Sequence, residues 1–179
     1  MQIFVIELKL SGKGGIMTIQ QKDCLIHWNY FLALEHDLVE CSSYVEFSKE
    51  NSNAYSIKFA QLLFASSSEV DVIAKEICKI IRPNEEIEGI NNYRPVILGR
   101  YGLDFKPWSS WQPDKSPFWW QSYNKVKHER NEYFIRSNLI NALRSMGVLL
   151  ITTVYYYVLK FSKEQEVEKN ARCNLTINT

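Results

Sequence analysis

Glycine and proline are scarce, with 7 Gly and 5 Pro in 179 residues. All-β folds draw heavily on both for tight turns, so the count argues against them and favours helices. Cysteine is sparse and scattered: Cys24, Cys41, Cys78 and Cys173 form no Cys-x-x-Cys pair. That removes a zinc knuckle and a disulfide scaffold, and fits free thiols in a reducing cytoplasm. Neither sign of charge dominates, with 21 Lys and Arg against 20 acids and a net +1. No global field draws the chain to nucleic acid or anionic lipid, so any basic site must be local. Long apolar runs are missing too. Met146–Leu159 (MGVLLITTVYYYVL) has 14 residues between Arg144 and Lys160, short of the roughly 20 that span a bilayer. It is expected to be a buried core helix, with no membrane contact. The SGKGG stretch lacks the full P-loop spacing, no Gly-x-Ser-x-Gly elbow occurs, and no cofactor or metal is expected.

What is present suits one packed core: 46% hydrophobic residues, 13% aromatic and 23% charged. Residues 1–16 (MQIFVIELKLSGKGGI) have no basic leader, and Glu7 and Lys9 interrupt the apolar run, which argues against an export signal. Lys13-Gly14-Gly15 before Met17 is what a purine-rich ribosome-binding site yields on translation. Met17 is therefore the expected start, with residues 1–16 an over-extended reading or a flexible arm.

Residues 18–161 are expected to form one helical domain. A first helix is predicted from Thr18 to about Phe47. At about 100° per residue, its Trp28, Phe31, Leu32, Leu38 and Val39 share a face with Glu35 at the centre. A second helix is predicted from about Ala54 to Ile81, striped with Phe59, Leu62, Leu63, Val70, Ile73 and Ile77, and Arg82-Pro83 ends it. Its Ala65-Ser66-Ser67-Ser68 segment would let another helix approach closely, and Glu69 sits at the edge of the stripe. Residues 83–117 hold most of the prolines together with Trp108 and Trp111. Such a long connection covers a core or frames a site, and a short helix near Glu85–Tyr93 is expected within it. Ser116-Pro117 marks a helix start, a break is expected near Arg136–Asn138, and a last helix from Asn138 to Phe161. Residues 162–179 read as a polar tail that frays. The expected fold is an all-α bundle of four or five helices with a long Pro/Trp-rich connection.

The segment that can carry chemistry is WWQSYNKVKHERN, residues 119–131. On a continuous helix Trp120, Asn124, Lys127 and Asn131 share a face, with His128 and Arg130 beside it. From Trp120 to Arg144, the bases Lys125, Lys127, Arg130, Arg136 and Arg144 outnumber the acids Glu129 and Glu132. Because a buried carboxylate is costly unless paired, Glu35 and Glu69 are expected to meet Lys127, His128, Arg130 and Asn131 inside the bundle. Two readings follow. In one, His128 is a general acid–base, Lys127 or Arg130 stabilises a phosphate, and Asn124 orients it, as in metal-independent RNA cleavage. In the other, the cluster is a structural polar network in a module that dimerises or docks a partner.

Taken together, a Glu-bearing first helix, LLFASSSEVDVIAKEIC as the second, and WWQSYNKVKHERN opening the last pair resemble HEPN-type helical-bundle domains over about residues 18–161. The resemblance implies a cytoplasmic bacterial defence or toxin protein, dimeric, that binds or cleaves RNA. It makes His128 the counterpart of the catalytic histidine. The family's hallmark is an arginine five to seven positions before that histidine. Here Gln121, Ser122 and Tyr123 occupy those positions.

Overall fold

The structure is a computed structural model and describes residues 25–101, 112 and 115–177. In order they form α1 (Ile26–Ser42), α2 (Ile57–Ile81), α3 (Ile90–Tyr101), α4 (Phe118–His128), a single turn α5 (Arg130–Tyr133), a 3-10 turn (Phe134–Arg136) and α6 (Leu139–Ile177). Among the described residues there is no strand, only the isolated bridges Tyr55–Asn138 and Gln112–Lys115. This is an all-α helical bundle. Residues 1–16, Trp108 and Trp111 lie outside the described residues.

α2 and α6 are the central pair. Ser56 caps α2 by accepting the Phe59 amide at 3.0 Å. Phe59, Leu62, Leu63, Val70, Ile73 and Ile77 are buried along it, as their spacing predicts. Ser66 and Ser67 are fully buried where α6 crosses, and Ser66 Oγ lies 2.7 Å from Ser145 Oγ. Small side chains are what allow this approach. The Ser56 amide donates to Ser137 O at 3.3 Å, Ser66 meets Ser145, and Lys163 donates to Ile80 O. These three contacts make α2 and α6 run parallel. Parallel neighbours need a return crossover, and the Pro/Trp-rich connection with α3 and α4 supplies it. Gly89, at φ 86°, opens α3 in a backbone conformation that side chains disfavour.

The first turn of α6 has orphan amides, as every helix start does. Leu139 N–H donates to Ala54 O (2.9 Å), Ile140 N–H to Ser52 O (3.1 Å) and Asn141 N–H to Asn138 Oδ1 (3.2 Å). α6 then outruns its expected end. Its backbone stays helical to Ile177, so the segment read as a fraying tail continues the last helix. By length and composition Leu139–Glu166 could cross a membrane, the one such helix among the described residues, with 44% of its most apolar stretch buried in the structure. The length argument taken from Met146–Leu159 alone therefore fails, because the helix extends on both sides of that run. Burial of Ala142, Met146, Val148, Leu149 and Leu159 supports the core assignment instead.

α1 packs antiparallel to α2, with His27 against Glu69 and Asp37 against Lys58. Its core face is turned from the expected one. Phe31 and Cys41 are buried and Leu34 and Leu38 are packed against the core, whereas Leu32 and Val39 are 43% and 62% exposed. Cys41 and Cys78 are free and buried, and burial pushes the Cys78 thiol up to about 11.

Candidate functional site at the α4–α5 corner

α4 is anchored by one face. Trp119, Ser122, Tyr123 and Val126 are buried at helical spacing, with Trp119 edge-on to Trp120 (5.6 Å) and Trp120 against Tyr123 (5.1 Å). The helix stops at His128. Glu129 has φ −133°, ψ 50°, so Arg130 and Asn131 start a new turn rather than continuing the face of Asn124 and Lys127. The four-residue face expected from a continuous helix is thereby broken.

The basic side chains meet rings. Lys127 Nζ donates to Tyr123 Oη at 3.3 Å and sits 5.4 Å from that ring's centre. The Arg130 guanidinium lies 5.1 Å over Phe64 of α2, which packs edge-on against Tyr123 at 5.9 Å. Lys125 and Arg136 both lie over Tyr133, at 4.6 and 5.1 Å, and Arg144 lies over Phe118 at 5.8 Å. Of these cations only Lys125 shows a salt bridge among the described residues, to Glu129 at 3.1 Å, and that bond raises its pKa. Cation–π contacts hold each head group in place without cancelling its charge.

The expected meeting of Glu35 and Glu69 with this cluster does not occur. Glu35 is exposed on α1. Glu69 pairs with His27, Oε1 to Nδ1 at 2.5 Å, and the His27 ring is edge-on to Tyr156 at 5.0 Å. Burial, then the Glu69 charge, raises the Tyr30 phenol, and burial raises Tyr157. His27, to which sequence reading gave no role, is thus the true partner of Glu69. The pair ties α1 to α2 on a different part of the bundle from His128, so no network joins Glu35, Glu69, Lys127, His128 and Arg130.

Asp71, which sequence reading missed, is a carboxyl that feels the Lys127 charge, though least of its neighbours and without a salt bridge to it among the described residues. Burial raises its pKa, opposed by a hydrogen bond from Tyr93 and by the charges of Lys75 and Lys127, while Glu88 adds to the rise. A period-3.6 reading places Asp71 on the polar side of the Val70–Ile73 stripe. Only the fold of α3 over α2 brings Tyr93 to it.

Lys127, His128, Arg130 and Asn131 are exposed and Asn124 is half-buried. Among the described residues nothing holds His128 by a hydrogen bond or ion pair. General acid–base catalysis needs an oriented ring, whereas anion binding needs only placed, uncancelled positive charge. The corner meets the second requirement.

The pairing makes a test. Removing Glu69 leaves a largely buried imidazole without its partner, at a cost of about 1–3 kcal/mol. Glu69→Ala should lower the denaturation midpoint by that amount, and Glu35→Ala should leave it within about 0.5 kcal/mol. Urea titrations followed by circular dichroism would show equal losses if the pairing were wrong. No family model, no curated protein and no solved structure matches the chain.

Proposed function

We propose that the protein is a HEPN-like helical module that binds single-stranded RNA through the α4–α5 corner, without cleaving it. One observation carries this reading. Lys127, Arg130 and Arg136 are seated on aromatic rings without a salt bridge among the described residues, so an otherwise neutral chain carries fixed positive charge at the α4–α5 corner, and Arg144 on Phe118 adds one at the other end of α4. Phosphates take such positions, and Phe118, exposed at the other end of α4, adds aromatic surface for an unpaired base. The resemblance of WWQSYNKVKHERN to HEPN domains supports RNA as the polyanion. The unheld His128 ring and the absent upstream arginine support binding over cleavage.

Anisotropy of a labelled single-stranded RNA across a salt series tests this. Each neutralised phosphate contributes a slope of about −0.7 in log K against log salt for single strands. Lys127→Ala with Arg130→Ala should therefore flatten the slope by about 1.4 and weaken binding at low salt by at least about tenfold. Lys79→Ala, which removes a cation paired with Glu76 on α2, should change neither. Binding unaffected by the double variant overturns the assignment. RNA cleavage that disappears in His128→Ala overturns the non-catalytic part of it.

A further inference from the structure

A hollow of about 400 Å³ opens where α6 begins, against the connection between α1 and α2. Small-molecule sites fall in this size range. Phe47, Leu139, Ile140 and Leu143 give it an apolar lining, and Lys49 and two serines complete the wall. Positive charge gathers at the same place. Lys49 shows no ion pair among the described residues, whereas Lys58, Lys75 and Lys79 of α2 each sit on a carboxylate. Leu139 and Ile140 open α6, so the hollow also lies at the positive pole of the longest helix. The neighbouring Glu50 carboxylate accepts its own amide and the Ser48 hydroxyl, which hold its pKa low.

The apolar surface runs on beyond the hollow. At about 100° per residue, Ile140, Leu143, Gly147, Leu150 and Val154 fall within an arc of about 80°. Between Ile140 and Phe161 no charged residue shares that arc. Leu150 and Val154 are exposed, and the stripe stays exposed at Val158 and Phe161. Gly147 is the odd member. Glycine weakens a helix interior relative to alanine, yet a Cβ added at Gly147 would meet nothing within 4 Å. Packing within the described residues therefore does not require its smallness. The missing side chain instead leaves a trough between Leu143 and Leu150 that leads out of the hollow.

We propose that the hollow and trough bind a medium-chain fatty carboxylate, its head group on Lys49 and its alkyl tail along α6 across Gly147. A carboxylate answers both features of the head end, the free ammonium and the helix pole. The length agrees. Ile140 to Leu150 spans about 15 Å at 1.5 Å per residue, enough for about ten to twelve extended carbons. A single cation beside an apolar stripe suits a monoanion with a hydrocarbon tail. A nucleotide would bring a ribose and a base whose polar groups the stripe leaves unpaired. A bilayer fits less well than a free ligand. α2 lies parallel along α6 and bears Lys58, Lys75, Glu76 and Lys79, whose ion pairs are partly exposed. Immersing α6 would carry those charges to membrane depth.

Isothermal titration calorimetry of the full chain with sodium decanoate, kept below its micellar concentration, should show one saturable site per chain. From hexanoate to decanoate each added methylene should tighten binding about three- to fourfold. Decylamine, with the same tail and the opposite charge, should not bind. Lys49→Glu should weaken decanoate at least about tenfold. Gly147→Leu fills the trough and should weaken decanoate at least about tenfold, the loss of about two buried methylenes, while hexanoate binds as before. Leucine is the better helix former on this open side, so that variant should melt no lower than the wild type. The absence of a saturable decanoate site overturns the proposal. So does decylamine binding as tightly as decanoate, or decanoate binding indifferent to Lys49→Glu or to Gly147→Leu. Co-sedimentation with phosphatidylcholine vesicles that Lys49→Glu leaves unchanged assigns the stripe to a membrane and also overturns it. Lys127→Ala with Arg130→Ala should bind decanoate as the wild type does, which separates this result from that of RNA binding.

Discussion

Ser66→Leu is expected to unfold the protein or bring it to the edge of unfolding, whereas Ser66→Ala should cost about 1 kcal/mol. The difference lies in how closely α2 and α6 approach. Ser66 and Ser145 are both fully buried with their oxygens 2.7 Å apart, and each hydroxyl also reaches a carbonyl of its own helix, Leu62 O 2.6 Å from Ser66 Oγ and Ala142 O 2.9 Å from Ser145 Oγ. Two hydroxyl protons serve these contacts. When Ser66 becomes alanine, Ser145 still donates to Ala142 O and nothing polar is stranded. Leucine instead forces several heavy atoms into space filled by one oxygen. Overpacking costs about 1–3 kcal/mol, and prising the helices apart also opens the Leu62, Leu63 and Leu149 contacts on either side of the crossing. The sum approaches the roughly 5–15 kcal/mol that holds a domain of this kind together. Urea midpoints of the two variants measure the contrast, and equal tolerance would mean that the helices do not cross here.

The same serines show what a linear reading of the chain captures. Period and residue size are local properties, so α2 was legible nearly in full: its stripe, its end before Pro83 and the small side chains at the crossing. The break after α4 was legible too, although it starts at Glu129, earlier than expected. Pairing across elements was not legible. Glu35 and Glu69 look alike in sequence, each an acid on or beside an apolar stripe. Their difference is set by the rotation of α1, which turns Leu32, Glu35 and Val39 outward and His27 inward to Glu69. A helix whose apolar residues surround it on most sides carries no period strong enough to fix that rotation. For the same reason the residues of the α4–α5 corner could be named from sequence, but not the rings beneath them, since Phe64 comes from α2 and Tyr133 lies beyond the break. The partly exposed stripe on α6 was hidden for a related reason: a long apolar run looks the same whether one side or every side is covered.

Trp119→Ala is expected to be the most damaging single truncation in α4, lowering stability by about 3–5 kcal/mol and the melting temperature by about 10 °C or more. Among the described residues Trp119 is the largest fully buried side chain, at 0% exposure, and it packs edge-on against Trp120. α4 has only 11 residues, too few to be stable as a helix without packing, so its position rests on Trp119, Tyr123 and Val126. The consequence for binding follows from the seats of the cations. Lys127 rests on Tyr123, and Arg130 rests on Phe64, which Tyr123 abuts. Loosening α4 unseats both without touching either charge. Trp119→Ala should therefore weaken RNA binding as well as stability, and Trp119→Phe should restore most of both. Lys127→Ala with Arg130→Ala should weaken binding with the melting temperature nearly unchanged. Anisotropy and thermal melts on the three proteins separate the roles. A Trp119→Ala chain that melts like the wild type would remove Trp119 as the anchor of the corner. One that melts early yet binds RNA normally would show that the seated geometry of Lys127 and Arg130 is irrelevant to binding.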